Sequence, residues 1–128
     1  MKRVLFVCVE NSNRSQMAEA FARHRGGDTV RADSAGSAPS GQVNPKAIAH
    51  MAELGIDLAG QRSKSLEEFR DADFDAVVTM GCGDRCPWIP ARIREDWALP
   101  DPRDLGEDGY RLVRDEIGRR VDDLLRRL

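Results

Sequence analysis

"VLFVCVENSNRSQMAEAF", residues 4–21, changes period once, and that change decides the architecture. Residues 4–7 are apolar throughout and rich in β-branched side chains, which predicts a short strand buried on both faces. From Ser15 to about Arg25 the spacing becomes helical. Met17, Ala18, Phe21 and Ala22 share one face, Glu19 and Arg23 fall off it, and Gly26-Gly27 stops the run. Between strand and helix stand Cys8, then Val9, Glu10, Asn11, Ser12 and Asn13, then Arg14.

The same alternation continues outward. Residues 29–35 read as a second strand, followed by the loop "SAPSGQV" at 37–43. Asn44-Pro45 is a cap residue followed by proline at the first helical position. Ile48, Met51 and Ala52 are expected to face the core, with Gly55 closing that helix. Ser65 and Glu68 have capping-box spacing, which predicts a short helix over 66–72. "FDAVVTM", 74–80, is a third strand, residues 93–99 a fourth, and 100–105 a proline-bracketed loop. Tyr110, Val113, Ile117, Val121, Leu124 and Leu128 form one stripe of a last helix, with Asp122/Arg126 and Asp123/Arg127 as exposed i,i+4 pairs. Trp88 and Trp97 are expected to serve packing. The pattern predicts an α/β fold over residues 1–128, a single domain and a three-layer sandwich: a four-stranded parallel sheet with helices on both faces.

Composition excludes several classes. With 128 residues, 20 basic against 22 acidic and a net charge of -2, the chain has no basic stripe for nucleic acid. No apolar run approaches the roughly 18 residues of a membrane span. No segment reads as an export signal, so the three cysteines are expected in the cytosol, where thiols stay reduced.

A strand–loop–helix turn at the carboxyl end of a parallel strand gathers backbone N–H groups and the positive end of a helix dipole. Such a nest suits an oxyanion, and it stabilises a thiolate. Arg14 adds a planar fork for two oxygens of a tetrahedral anion, and Ser15 offers a hydroxyl to the sulfur. The reading is a nucleophilic Cys8 beneath a bound anion on the loop of Val9, Glu10, Asn11, Ser12, Asn13 and Arg14. Spacing alone does not select it, because "CPWIPAR" from Cys86 to Arg92 has the same Cys-x5-Arg pattern. There, Pro87 and Pro90 remove two N–H donors, and no buried strand runs into the cysteine. Asp101 in "LPDPRD" is either a proton donor to a leaving group or a plain turn residue. Cys82 and Cys86, four apart, can come within disulfide reach; half a zinc site would need two further ligands, and His24 and His50 are remote in sequence, so no metal is expected.

The loop, together with "SAGS" at 34–37, "VNPKAI" at 43–48, "VVTMGCGDRCP" at 77–87 and Asp101-Pro102, resembles the low-molecular-weight protein tyrosine phosphatase superfamily. Within it the chain is most similar to the arsenate reductases. The resemblance implies Asp101 as general acid, and arsenate or a phosphate-like oxyanion as ligand. It also implies a relay in which Cys8, Cys82 and Cys86 act in turn, with no bound cofactor. An external reductant, thioredoxin or a low-molecular-weight thiol, would close the cycle. Where related phosphatases carry aromatic walls, this chain reads Arg103-Asp104 and "SAPSGQV", which argues against phosphotyrosine while leaving weak phosphatase activity as an expectation. Some relatives hold potassium through residues matching Asn11, Glu19 and Ser34; here Lys64 stands in for the fourth, and its ammonium is expected to replace the ion. A monomer with no membrane or nucleic-acid partner completes the expectation.

Overall fold

The computed structural model describes residues 1–83 and 86–128. Four strands, β1 (Lys2–Cys8), β2 (Val30–Gly36), β3 (Phe74–Thr79) and β4 (Ala91–Asp96), form one parallel sheet in the order β2-β1-β3-β4. Three α-helices accompany it: α1 (Arg14–Gly26), α2 (Pro45–Ala52) and α3 (Glu107–Arg127). β1 is central because its side chains are apolar on both faces. Val4, Phe6 and Cys8 enter the larger core with Met17, Phe21, Met51, Tyr110 and Ile117. Leu5 and Val7 face the other way, into a smaller cluster with Phe74 and Val77.

The sandwich therefore has unequal outer layers. The three α-helices supply the larger core, whereas the opposite face is covered by a single-turn 3-10 helix, Leu66–Phe69, and by Cys86, Ile89 and Ala91. The register Cys8↔Gly36 and Val7↔Thr79 brings three strand ends to one rim. Every loop that follows there can reach Cys8.

Several local expectations are corrected. Helix α1 is buried at every residue from Ser15 to Ala22, so Glu19 lies inside and is fully buried rather than off the core face. The buried face of α2 is Ala47, His50 and Met51, at i, i+3 and i+4, while Ile48 is 41 % exposed and Ala52 faces solvent. Ser65 does cap its helix, but it accepts from Glu67 N, and Glu68 turns away to pair with Arg62. The turn ends at Phe69. Asp122 pairs with Arg25 rather than Arg126, and Arg126 pairs with Asp123. Trp97 packs against Phe6 with ring centroids 5.9 Å apart, but Trp88 stands 67 % exposed.

Candidate active site

β1 delivers a buried Cys8 to its carboxyl end, and residues 9–13 then turn the chain into α1. The carbonyls of this loop face outward. Cys8 O accepts from Ser37 N at 3.3 Å, Val9 O from Ala38 N at 2.8 Å, and Glu10 O from Ser40 N at 3.0 Å. Ser12 O and Asn13 O accept from Asn44 N and Met17 N at 3.1 and 3.0 Å, and Asn11 O accepts from Gln16 Nε2 at 3.0 Å. In a trans peptide the next N–H points opposite to each carbonyl, so the N–H groups of this loop turn toward the concavity. The loop is a nest by elimination of its acceptors. Gly36 permits the close approach: a Cβ there would sit 2.5 Å from Val9 O.

Asn11 organises the sulfur. Its φ of 51° lies in the left-handed region, which asparagine tolerates better than most residues. Its Oδ1 accepts from Gln16 Nε2 at 2.9 Å and from Lys64 N at 3.0 Å. Its Nδ2 is then free to donate to Ser15 Oγ at 2.8 Å. Ser15 Oγ, which receives that hydrogen, lies 2.8 Å from Cys8 Sγ, where its own hydrogen can be donated to a thiolate. Asn11 N donates to the same sulfur at 3.2 Å. Both contacts favour a thiolate acceptor.

Above the sulfur lies a cavity of about 140 Å³, bounded by the loop, Arg14, Asp101 and Arg103. Arg14 Nη1 donates to Met80 O at 2.9 Å and Leu99 O at 2.7 Å, which fixes its fork over the cavity. Asp101 Oδ2 lies 4.0 Å from Arg14 Nη2, while its Oδ1 accepts from Arg103 N at 3.0 Å. The acid candidate, the arginine and the sulfur are thus brought together.

The second layer holds what the sequence reading missed. Tyr110 Oη donates to Asn13 Oδ1 at 2.6 Å, and Asn13 Nδ2 turns to Asp101 Oδ1 at 3.5 Å. Burial, and then the Asp101 charge, push the Tyr110 phenol well above its ordinary range and keep it a donor. The available signal was a tyrosine within an apolar stripe, because a buried phenol needs a partner. Gln16 was also missed; it joins the loop to Arg62 O at 2.9 Å. At the cavity mouth Arg103 Nη1 pairs with Glu10 Oε2 at 3.0 Å.

Lys64 is 8 % exposed, with Nζ 3.5 Å from Glu19 Oε1 and 3.2 Å from Arg62 O. Ser34 Oγ donates to the same Glu19 oxygen at 2.6 Å, and Arg23 pairs with the other at 2.8 Å. Asn11, Glu19, Ser34 and Lys64 therefore form one cluster beneath the loop. Among the described residues no three His, Cys, Asp or Glu side chains gather as a metal site. His50 instead stacks on Tyr110 at 4.3 Å.

Cys82 and Cys86 are joined by a disulfide, with Cα atoms 5.7 Å apart, and Cys8 remains a free thiol. Cys82 is buried and Cys86 partly exposed. The pair follows β3 directly. Met80 N donates to Val7 O at 2.9 Å, so the redox loop leaves the sheet beside the strand that carries Cys8.

Comparison with known proteins agrees in fold and in length. The chain is 43% identical over 131 residues to the glutaredoxin arsenate reductase of Synechocystis sp., covering 100% of this chain and 99% of that protein. It superposes on the structure of an arsenate reductase in the phosphate binding state with a TM-score of 0.92 at 43% identity, covering 99% and 98% of the two chains. A thioredoxin-dependent arsenate reductase from Corynebacterium glutamicum matches with a TM-score of 0.81 at 36% identity, over 98% of this chain and 61% of that one. The family model for low molecular weight phosphotyrosine protein phosphatase matches residues 3–128. The chain belongs to the low molecular weight phosphotyrosine protein phosphatase family.

Proposed function

We propose that this protein reduces arsenate to arsenite through three thiol steps. The observation that carries the reading is the pairing of one free cysteine, beneath an anion cavity, with a second, oxidised pair on the adjoining loop. In the first step the Cys8 thiolate attacks arsenate held by the loop N–H groups and Arg14. Asp101 protonates the departing oxygen, which leaves as water, and a sulfur–arsenic(V) adduct remains. The Cys82 thiolate then attacks the Cys8 sulfur. The S–As bond breaks, its electron pair passes to arsenic, and arsenite departs. Cys86 next attacks Cys82, which frees Cys8 as a thiolate and leaves the Cys82–Cys86 disulfide. A dithiol such as thioredoxin supplies the two electrons that reopen it. A cytosolic setting, where such dithiols are kept reduced, fits this reading.

Ser15 and Asn11 stabilise the thiolate in this scheme, and the Lys64 ammonium stands where a monovalent cation would otherwise balance Glu19. Weak phosphatase activity accompanies the shared anion cradle. A second reading has one observation in its favour, the 43% identity to a relative named for glutaredoxin. In it, a low-molecular-weight thiol attacks the adduct directly and Cys86 is dispensable.

The test follows NADPH oxidation with arsenate, thioredoxin and thioredoxin reductase, using wild type, Cys82→Ser and Cys86→Ala. Turnover in wild type and its loss in both variants supports the relay. Turnover only with glutathione and glutaredoxin, undiminished in Cys86→Ala, selects the second reading. Steady aryl phosphate hydrolysis with no arsenate-dependent oxidation overturns both.

A further inference from the structure

On the face of the sheet away from the α-helices, a groove of about 440 Å³ runs from the residue after Cys86 to the 3-10 helix. Leu66 and Phe69 line one side and Pro87, Trp88, Ile89 and Pro90 the other. Trp88 is not core: it is 67 % exposed, with the Arg94 guanidinium stacked 4.3 Å from its ring centroid. An exposed tryptophan beside an apolar groove has the composition of an association surface, where such side chains carry much of the binding energy. The rim is acidic. Glu67 is paired with Arg70, whereas Asp71 and Asp73 have no cationic partner among the described residues.

We propose that this groove is the docking surface for a dithiol reductant protein of the thioredoxin type, one whose attacking thiol is ringed by apolar residues and flanked by basic ones. The proposal rests on the relay above, which leaves a disulfide that an outside dithiol must reopen. Position names the partner: the groove begins at Pro87, next to Cys86, the less buried residue of the pair. The partner's thiolate attacks Cys86 Sγ, forming a mixed disulfide and releasing the Cys82 thiolate. The partner's second thiol then attacks its own bonded sulfur, forming the partner's disulfide and releasing the Cys86 thiolate, so two electrons have moved inward. An apolar rim on the partner covers Trp88 and the prolines and keeps the reacting sulfurs aligned. Glutathione, a small anionic peptide without apolar surface, gains nothing from the groove and is repelled by Asp71 and Asp73.

The test uses the full chain in its oxidised form, without arsenate. Rates of Cys82–Cys86 reduction are measured with reduced thioredoxin, dithiothreitol and glutathione, for wild type and Trp88→Ser. We expect the variant to slow thioredoxin by about ten-fold or more, with the dithiothreitol and glutathione rates unchanged. Equal slowing by all three reductants would reduce Trp88 to a loop-shaping role and overturn the proposal. So would an unchanged thioredoxin rate, or a wild-type thioredoxin rate no greater than that of dithiothreitol. Because arsenate is absent, a failure of the reductase reading shows separately, as missing arsenate-dependent NADPH oxidation.

Discussion

Replacing Ser15 by alanine removes one side-chain donor from the Cys8 sulfur and leaves Arg14 in place. The direction of that hydrogen bond follows from its neighbour. Asn11 Nδ2 donates to Ser15 Oγ at 2.8 Å, which leaves the serine hydrogen available to Cys8 Sγ at 2.8 Å when the sulfur is an anion. A hydrogen bond to an ionised acceptor is worth about 1.5–3 kcal/mol. Its loss weakens the support of the sulfur as an anion by about 2 kcal/mol, a factor of about thirty. Asn11 N, 3.2 Å from the sulfur, and the turned-in loop amides remain, so the effect is partial. The assay is alkylation by iodoacetamide. With Cys82 and Cys86 bonded to each other, Cys8 alone is labelled. We expect Ser15→Ala to slow labelling at neutral pH by about thirty-fold. An unchanged rate refutes the argument.

Asp101→Asn keeps the turn but cannot protonate a leaving oxygen, so arsenate turnover is expected to fall about a hundred-fold or more, with inorganic phosphate still a competitive inhibitor. Lys64→Ala strips one of two cations from the fully buried Glu19, since Arg23 remains at 2.8 Å. Urea unfolding is expected to show a loss of about 2 kcal/mol, and wild-type turnover is expected to be indifferent to potassium at constant ionic strength. Glu53 is held at about 2 by hydrogen bonds from Arg111 and then Arg114, against 4.5 for the free side chain. A carboxyl depressed in the folded state contributes stability that is present above 4.5 and lost as the pH falls toward about 2. The Tm gap between wild type and Glu53→Gln should therefore narrow across that interval. A gap that widens there would reverse the sign of the argument.

What the sequence made legible was local. The strand, the polar loop and the helix of residues 4–21 are encoded by a change of period within eighteen consecutive letters, and the structure follows it closely. The sheet followed from repeating that alternation. Contacts between distant segments had no such signature. Tyr110 and Asn13 are 97 positions apart, and Arg103 and Glu10 are 93 apart, yet both pairs bond at the cavity. Periodicity also failed where a helix is covered on more than one side. Glu19 breaks the apolar face of α1 but is buried, because Ser34, Lys64 and Arg23 converge on it from three segments. In α2 the apolar letters Ile48 and Ala52 lost the core to His50, whose ring stacks on Tyr110 and whose Nδ1 lies 2.7 Å from Lys46 O. Trp88 is exposed for a related reason: the prolines around it leave a loop with no period to orient its side chains.

Arg14 ties these distant parts into one device. Its Nη1 is engaged by two carbonyls, Met80 O and Leu99 O. One belongs to the residue two before Cys82, the other to the residue two before Asp101. The guanidinium proposed to grip the anion therefore also ties the segment leading to Cys82 and the segment leading to Asp101 to the start of the helix after Cys8. With Nη1 taken, the Nε–Nη2 edge of the fork is what the proposed anion would meet with two of its oxygens, and a lysine could not make all three contacts from a single point charge. The arrangement also constrains the relay. In the proposed relay Cys82 approaches Cys8 from a chain anchored at Met80, whose N–H donates to Val7 O and whose carbonyl accepts from Arg14 Nη1. Gly81, with φ at 74°, is the first residue past that anchor, and a Cβ there would lie 3.5 Å from Ala98 Cα and 3.8 Å from Arg14 Nη1. In the proposed relay Gly81, whose own N–H donates to Asp96 Oδ1 at 2.9 Å, is where the chain would turn to move the second sulfur while Met80 O stays on Arg14.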